Sequence, residues 1–202
     1  MTAPSRFDRA IALFDAANAA DPNKEVVEGS EMPKELVYAR RMSEMLTRFA
    51  PDAPEAVRLA VRAQHIERWK VPRSDYPMDR TGYLMWRTGL YKYHAETAGR
   101  LMREAGYDGE SIARVQSAVG KKGIKVNPET QLLEDVVDLV FIEYYMQTFA
   151  GQHPEYDEQK WIGIIRKTWQ KMSAEARAFA LSGKINLPQA LVPLILKSIE
   201  EK

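Results

Sequence analysis

The chain has 202 residues, including 29 lysines and arginines, 28 aspartates and glutamates, three histidines and no cysteine. The missing cysteine excludes disulfides, cysteine-ligated zinc and iron–sulfur sites, and a cysteine nucleophile. A formal net charge of +1 gives no general electrostatic reason to bind nucleic acid, and no run approaches the ~20 apolar residues that a membrane helix needs.

Helix signals recur along the whole chain, and apolar residues repeat at spacings of three and four. Phe7, Ile11 and Phe14 form such a face in the first helix. By contrast, the stretch 24–32 contains a Gly-Ser pair and no periodic pattern, so we predict a loop there. The predicted helices span about 5–20, 33–49, 52–69, 79–105, 108–119, 129–150, 156–172, 173–181 and 188–201.

Short capping motifs set several of these boundaries. We expect Asp52 to cap the third helix, with Glu55 completing a capping box. Asp108 is the expected cap of the fifth helix, and Asn127 followed by Pro128 begins the sixth. The sixth helix has apolar residues around most of its circumference, which predicts a buried position.

The pattern as a whole predicts an all-α fold, in the form of a single helical domain with a C-terminal helical appendage. The plausible boundary is the Gly-Gln-His-Pro stretch at 151–154. We therefore predict a helical core over 1–150 and a helical extension over 151–202 that packs on it. Residues 1–5 lack the apolar stretch of a secretory signal, and we expect a cytoplasmic protein with no membrane partner.

Carboxylates in the predicted buried helix are the strongest chemical feature of the sequence. Glu134 and Asp135 are adjacent, and Asp138 follows one turn later on the face of Asp135 and Gln131. Charged residues are rarely buried unless they are paired or bind a metal. Either an internal salt bridge to an arginine or a metal-binding or catalytic role accounts for Asp135.

Two of the three histidines lie on predicted helices beside arginines. His65 is near the end of the third helix, with Arg68 on its face. Arg80, Arg87 and His94 are spaced by seven along the fourth helix and form one stripe. The stripe is either a solvated face with ordinary ion pairs or the lining of a cleft that binds an anion.

Further donors stand in the predicted loops. Arg73, Tyr76 and Arg80 surround the start of the fourth helix, and Lys121 and Lys122 occupy a turn flanked by glycines. Together with Arg68 and Arg87 they offer several donors for phosphate or carboxylate, so we expect an anionic small-molecule ligand. No glycine-rich spacing typical of a nucleotide-binding loop occurs.

The order of these features resembles the HD-domain superfamily, a helical fold whose metal-dependent members are often phosphohydrolases. In that family a metal-binding His begins one helix, a His-Asp pair ends the next, and a buried helix brings a final Asp. Tyr38 stands here where the first His is expected, and His65 matches the His of the pair without its Asp. His94 matches a further His of extended sites, and Glu134-Asp135 matches the final Asp.

A more specific resemblance covers about residues 6–150. The short phrases that carry it are Gln64–Trp69, Pro72-Arg73, Tyr76-Pro77, Gly82-Tyr83, Trp86-Arg87, His94-Ala95 and Leu133–Val136. They resemble the bacterial and fungal domain-of-unknown-function family numbered 4202, which implies no established activity.

Two imidazoles and one carboxylate suffice for a single-metal site. We therefore predict one divalent ion, iron, manganese or zinc, held by His65, His94 and Asp135 with Glu134 available. The favoured function is metal-dependent hydrolysis of a phosphorylated small molecule or nucleotide. His65, His94, Glu67 and Asp135 are the predicted catalytic residues, while the arginines, lysines and Tyr76 named above bind the substrate.

Three alternatives remain open at this point. Without a metal, His65 and His94 can act as general acid and base near neutral pH. The chain can also be a non-catalytic module that binds an anion or nucleotide in a degenerate HD-like cleft. Finally, it can be a helical interaction scaffold that presents Trp161 and Trp169, which are eight residues apart on one helical face.

Overall fold

The computed structural model describes residues 3–200, and the all-α class is confirmed. Its α-helices, numbered α1 to α10, are Arg6–Ala19, Lys34–Phe49, Glu55–Ala63, Arg80–Glu104, Gly109–Val119, Pro128–Val140, Met146–Gln152, Glu158–Lys171, Ala174–Leu181 and Val192–Glu200. Short 3₁₀ turns occupy Arg68–Lys70, Arg73–Asp75 and Gln189–Leu191. The last turn and α10 together fill the predicted helix 188–201, apart from residue 201, which lies outside the described residues.

The predicted loop at 24–32 is wrong, because these residues form a β-hairpin. Strand β1, Lys24–Val27, pairs antiparallel with strand β2, Ser30–Pro33. The turn residues Glu28 and Gly29 both have positive φ, 51° and 80°, which is the backbone of a tight hairpin turn. Neither Lys24–Val27 nor Ser30–Pro33 shows the strict alternation of apolar and polar residues that identifies a strand in sequence.

The third helix ends earlier than predicted. Helix α3 stops at Ala63, and a turn over 64–67 follows, in which Glu67 adopts a left-handed conformation with φ 53°. The Glu67 N–H donates to the buried Asn18 side chain on α1 (3.0 Å), a contact from a distant part of the sequence. The predicted helix end at residue 69 is therefore wrong. The spacing of apolar residues along a helix gives no information about a hydrogen bond to a residue that is distant in the sequence.

Two of the predicted helix caps are confirmed, and one is wrong. Side chains of Asp108 and Asn127 accept backbone N–H groups at the starts of α5 and α6, as the sequence indicates. Asp79 caps α4 in the same way. The start of α3 is different, because its N-cap is Pro54 and no side chain caps it. The predicted cap and capping box at Asp52 and Glu55 are therefore wrong.

The long predicted sixth helix is continuous but not uniform. It runs as α6 through a π-helical turn, Phe141–Tyr145, into α7. Helix α6 is buried around most of its circumference, as predicted, and three carboxylates, Glu134, Asp135 and Asp138, are buried with it. Within residues 3–200, no helix is both long and apolar enough to cross a membrane.

Contacts along the backbone divide the chain into two compact units. The first ends at Lys122, and the second begins at Gly123. The sequence places its division at 150/151 instead, so α6 and α7 group with the C-terminal helices rather than with α1–α5. Each unit is compact by itself.

Candidate functional site

The centre of the first unit's candidate site is the imidazole of His65, in the turn after α3. The ring stacks on Tyr38 of α2, with ring centroids 4.1 Å apart and planes inclined by 12°. Its Nδ1 lies 3.5 Å from Oε2 of Glu35, and its Nε2 lies 3.2 Å from Nη1 of Arg68. The predicted His65 and Arg68 are therefore in direct contact.

Glu35 is the site residue that sequence reasoning missed. It lies in the first turn of α2, where its N–H donates to the buried carboxylate of Asp21 (3.0 Å). Burial raises the pKa of Glu35 to about 7, against an opposing effect from the charge of Arg68. A sequence signal did exist, because Glu35 precedes Tyr38 by three residues and shares its helix face.

His94 of α4 is the second imidazole of the site, and only 2% of it is exposed. Its Nδ1 lies 2.8 Å from the carbonyl oxygen of Ile66, and its ring centroid lies 5.9 Å from that of His65. A carbonyl only accepts, so Nδ1 carries the hydrogen and Nε2 is an acceptor. Among the described residues, Nε2 has no hydrogen-bond partner.

Both imidazoles are held in the neutral form. Burial lowers the pKa of His94 to about 3, with a further effect from His65. Burial also lowers the pKa of His65 well below its usual value, and the charges of Arg68, Lys121 and Lys34 lower it further. Positive charge from three side chains therefore acts on one neutral ring.

Glu67 is a predicted catalytic residue, but both of its carboxylate oxygens accept hydrogen bonds from neighbouring side chains. Its Oε1 accepts from the Lys70 ammonium (2.6 Å), and its Oε2 accepts from the Tyr93 hydroxyl (3.0 Å).

The orientation of Arg68 is fixed by an aromatic ring. Its guanidinium covers the ring of Trp86 at 4.9 Å from the centroid. Trp86 is fixed by its own hydrogen bond to the Val71 carbonyl (2.8 Å). These contacts hold Arg68 against His65.

The other predicted anion-binding residues are dispersed. Arg73 donates to three backbone carbonyls of its own loop, so it braces that loop. Arg87 donates to the Tyr91 hydroxyl (2.5 Å). In the stripe of Arg80, Arg87 and His94, both arginines are exposed, whereas the histidine is buried. Lys122 is exposed and Tyr76 half-buried. Of the predicted cations, Arg68 and Lys121 act on His65.

The carboxylates of the second unit form a separate cluster. The Lys171 ammonium donates to Glu134 Oε1 (2.8 Å) and to Asp138 Oδ1 (2.7 Å). Asp135 accepts from the Ser173 N–H (2.7 Å) and from the Gln131 amide (2.9 Å). Glu134 and Asp138 thus pair with a lysine, and Asp135 accepts from a backbone N–H and an amide. The sequence had suggested an arginine as the partner of Asp135. The cluster joins α6 to the junction of α8 and α9.

The tryptophans of the scaffold alternative differ in exposure. Trp161 is buried, with its ring 5.7 Å from Phe149 and 5.9 Å from Tyr156, and Trp169 is half-buried. A docking face built from both indoles is not favoured by this arrangement.

The residues present do not assemble an evident metal site. Among residues 3–200, no three His, Asp or Glu side chains are grouped so that they could hold a metal ion. At His65, Nδ1 faces Glu35 while Nε2 faces a guanidinium, which opposes a cation there. Asp135 and Glu134 belong to the second unit. The metal site stays a prediction from the sequence.

Comparison with known proteins gives one match. Residues 8–195 match the model of the family described as "Domain of unknown function (DUF4202)". No curated protein and no solved structure matches the chain.

The buried Glu35 predicts a pH-dependent stability. Its raised pKa means that the folded state binds this proton more tightly, so the stabilisation is full below about pH 4.5 and is lost as the pH rises through about 7. At 1.36 kcal/mol per pH unit, the loss amounts to about 3 kcal/mol. The lowered pKa values of His65 and His94 act in the opposite direction as the pH falls, so wild type alone does not isolate Glu35.

We therefore expect Glu35→Gln to match wild type near pH 5 and to be more stable by up to about 3 kcal/mol at pH 8. Urea unfolding from pH 5 to 8 measures the difference in unfolding free energy. A difference that does not change with pH would show that Glu35 ionises normally in the folded protein.

The second cluster predicts a purely structural role for its lysine. Lys171→Met leaves two buried carboxylates without their cation, and we expect it to lower the unfolding free energy by roughly 3 kcal/mol. The matched control is Lys167→Met, one turn earlier on the exposed face of α8, with an expected change within about 0.5 kcal/mol. Equal losses in the two variants would contradict the assignment.

Proposed function

The chain belongs to the family described as domain of unknown function (DUF4202), and from its own side chains we propose that the first unit binds an anionic small molecule of the phosphorylated class. The ligand site is the surface around His65 and Arg68, between the start of α2 and the turn after α3. The proposal corresponds to the binding-module alternative of the sequence analysis.

The observation that carries this proposal is the contact of Arg68 with the partly exposed ring of His65, to which the charges of two lysines add. Arg68 contacts the ring, and Lys121 and Lys34 are close enough to lower its pKa. Both imidazoles are neutral, and Glu35 is largely protonated below pH 7. A quarter of the His65 side chain is exposed, so a ligand can reach the ring without displacing the core.

Phosphate is the anion that best matches these donors. A guanidinium offers two parallel N–H groups to a phosphate or carboxylate, and an ammonium adds a point charge. Arg68 keeps its orientation through the Trp86 ring, which lowers the conformational cost of binding.

Thermal unfolding tests the proposal with inorganic phosphate, pyrophosphate and adenosine monophosphate as probes. At a probe concentration of 100 Kd, binding adds about 2.7 kcal/mol of stability, which corresponds to an increase in Tm of roughly 5–10 °C for a chain of this size. Arg68→Gln should abolish the increase. Arg80→Gln, which removes an exposed arginine at the start of α4, should retain it. The proposal fails if no probe stabilises wild type, or if both variants lose the increase equally.

We propose metal-dependent hydrolysis of that ligand as the second candidate function, and His94 is the observation that favours it. Its imidazole is neutral and is oriented by a carbonyl on Nδ1, which is the usual state of a metal-binding histidine.

Elemental analysis of protein purified without a histidine tag tests this second candidate. About one equivalent of iron, manganese or zinc is expected in wild type and little in His94→Ala. Protein that contains no metal, and whose stability a chelator leaves unchanged, would exclude the second candidate and leave anion binding in place.

A further inference from the structure

Three buried polar atoms near the turn 64–67 lack a hydrogen-bond partner within the part of the chain that the structure describes. They are Nδ2 of Asn18, Oε1 of Gln64 and Nε2 of His94, on residues that are 1%, 4% and 2% exposed. The great majority of buried polar groups in proteins are paired, and an unpaired one destabilises the fold. A partner from outside the chain is therefore expected, either water or a ligand.

All three residues are tied to the same turn. The other amide atom of Asn18 accepts from the Glu67 N–H, and the other ring nitrogen of His94 donates to the Ile66 carbonyl. Gln64 belongs to the turn itself. The next residue is His65, and its ring centroid lies 5.9 Å from that of His94. A molecule bound at His65 is therefore close to these polar atoms.

The hydrogen bond on Nδ1 decides what His94 can recognise. Because Nδ1 donates to a carbonyl, Nε2 presents a lone pair and takes a donor only. A ligand that consists only of acceptor oxygens cannot pair with it. An alcohol group can, and it can also accept from a second neighbour.

We propose that the ligand carries a hydroxyl group beside its phosphate, and that Nε2 of His94 accepts the hydrogen of that hydroxyl. The ligand class is thus a hydroxylated phosphate, such as the phosphate ester of a sugar or polyol. Arg68 and Lys121 hold the phosphate, and His94 determines specificity for the hydroxyl. This inference rests on the proposed anion-binding function of the same site.

An ordered water is the alternative partner for Nε2 of His94. A hydroxyl that reproduces the hydrogen bonds of an ordered water can displace it with a gain in affinity, whereas an alkyl group cannot. Selectivity therefore appears as a difference between two phosphates of equal charge, one with hydroxyls and one without.

The test compares glycerol 3-phosphate with n-propyl phosphate by isothermal titration calorimetry on the full chain. Their charge and length are similar, and they differ in two hydroxyl groups. Wild type should bind glycerol 3-phosphate roughly tenfold more tightly, which is the effect of one additional hydrogen bond. The comparison needs no variant and therefore stands even where a substitution impairs folding.

The matched variant is His94→Asn, whose side-chain amide can still donate to the Ile66 carbonyl but lacks an acceptor at the position of Nε2. Circular dichroism and Tm establish that it folds. We expect its two dissociation constants to become equal.

The outcomes separate the two proposals. Equal, measurable affinities in wild type would overturn the hydroxyl inference and leave the anion-binding function standing. A preference that survives in folded His94→Asn would overturn the role of His94. Failure of wild type to bind either phosphate, together with no response to the phosphate probes above, would overturn the anion-binding function itself.

Discussion

The first unit's site depends on one hydrogen bond, from Nδ1 of His94 to the carbonyl of Ile66. It joins the middle of α4 to the turn after α3, and it fixes both the position of the turn and the tautomer of the ring. The left-handed backbone at Glu67, held by Asn18 of α1, supports the turn from the other side. His65 is consequently carried on a segment that two other helices immobilise, and pre-ordered groups bind ligands at a lower entropic cost.

The elements that the sequence predicted well are those determined by local physics. Caps at Asp108 and Asn127 were predictable because a short polar side chain satisfies nearby N–H groups within three residues. The hairpin and the early end of α3 were not, since they depend on a turn at Glu28 and on a bond from Asn18 that spans 49 residues. Tertiary contacts of this kind override helix periodicity.

The candidate site was predictable only in part, for the same reason. His65, His94 and Arg68 were identified because histidine is rare in this chain and the residues fall on predicted helices. Glu35 was missed because a glutamate in the first turn of a helix is common and is explained by the helix dipole alone. Only the structure shows that its burial raises its pKa and places it beside His65.

The two clusters of charged residues differ in their hydrogen bonding. This difference distinguishes a structural cluster in the second unit from the candidate ligand site in the first. In the second unit, Lys171 and the Ser173 N–H match buried carboxylates within hydrogen-bond distance, as a structural network requires. Around His65, Arg68 contacts the ring, and the buried Nε2 of His94 has no hydrogen-bond partner among the described residues. A buried polar atom without a partner costs stability, and the proposed ligand would supply the missing hydrogen bond.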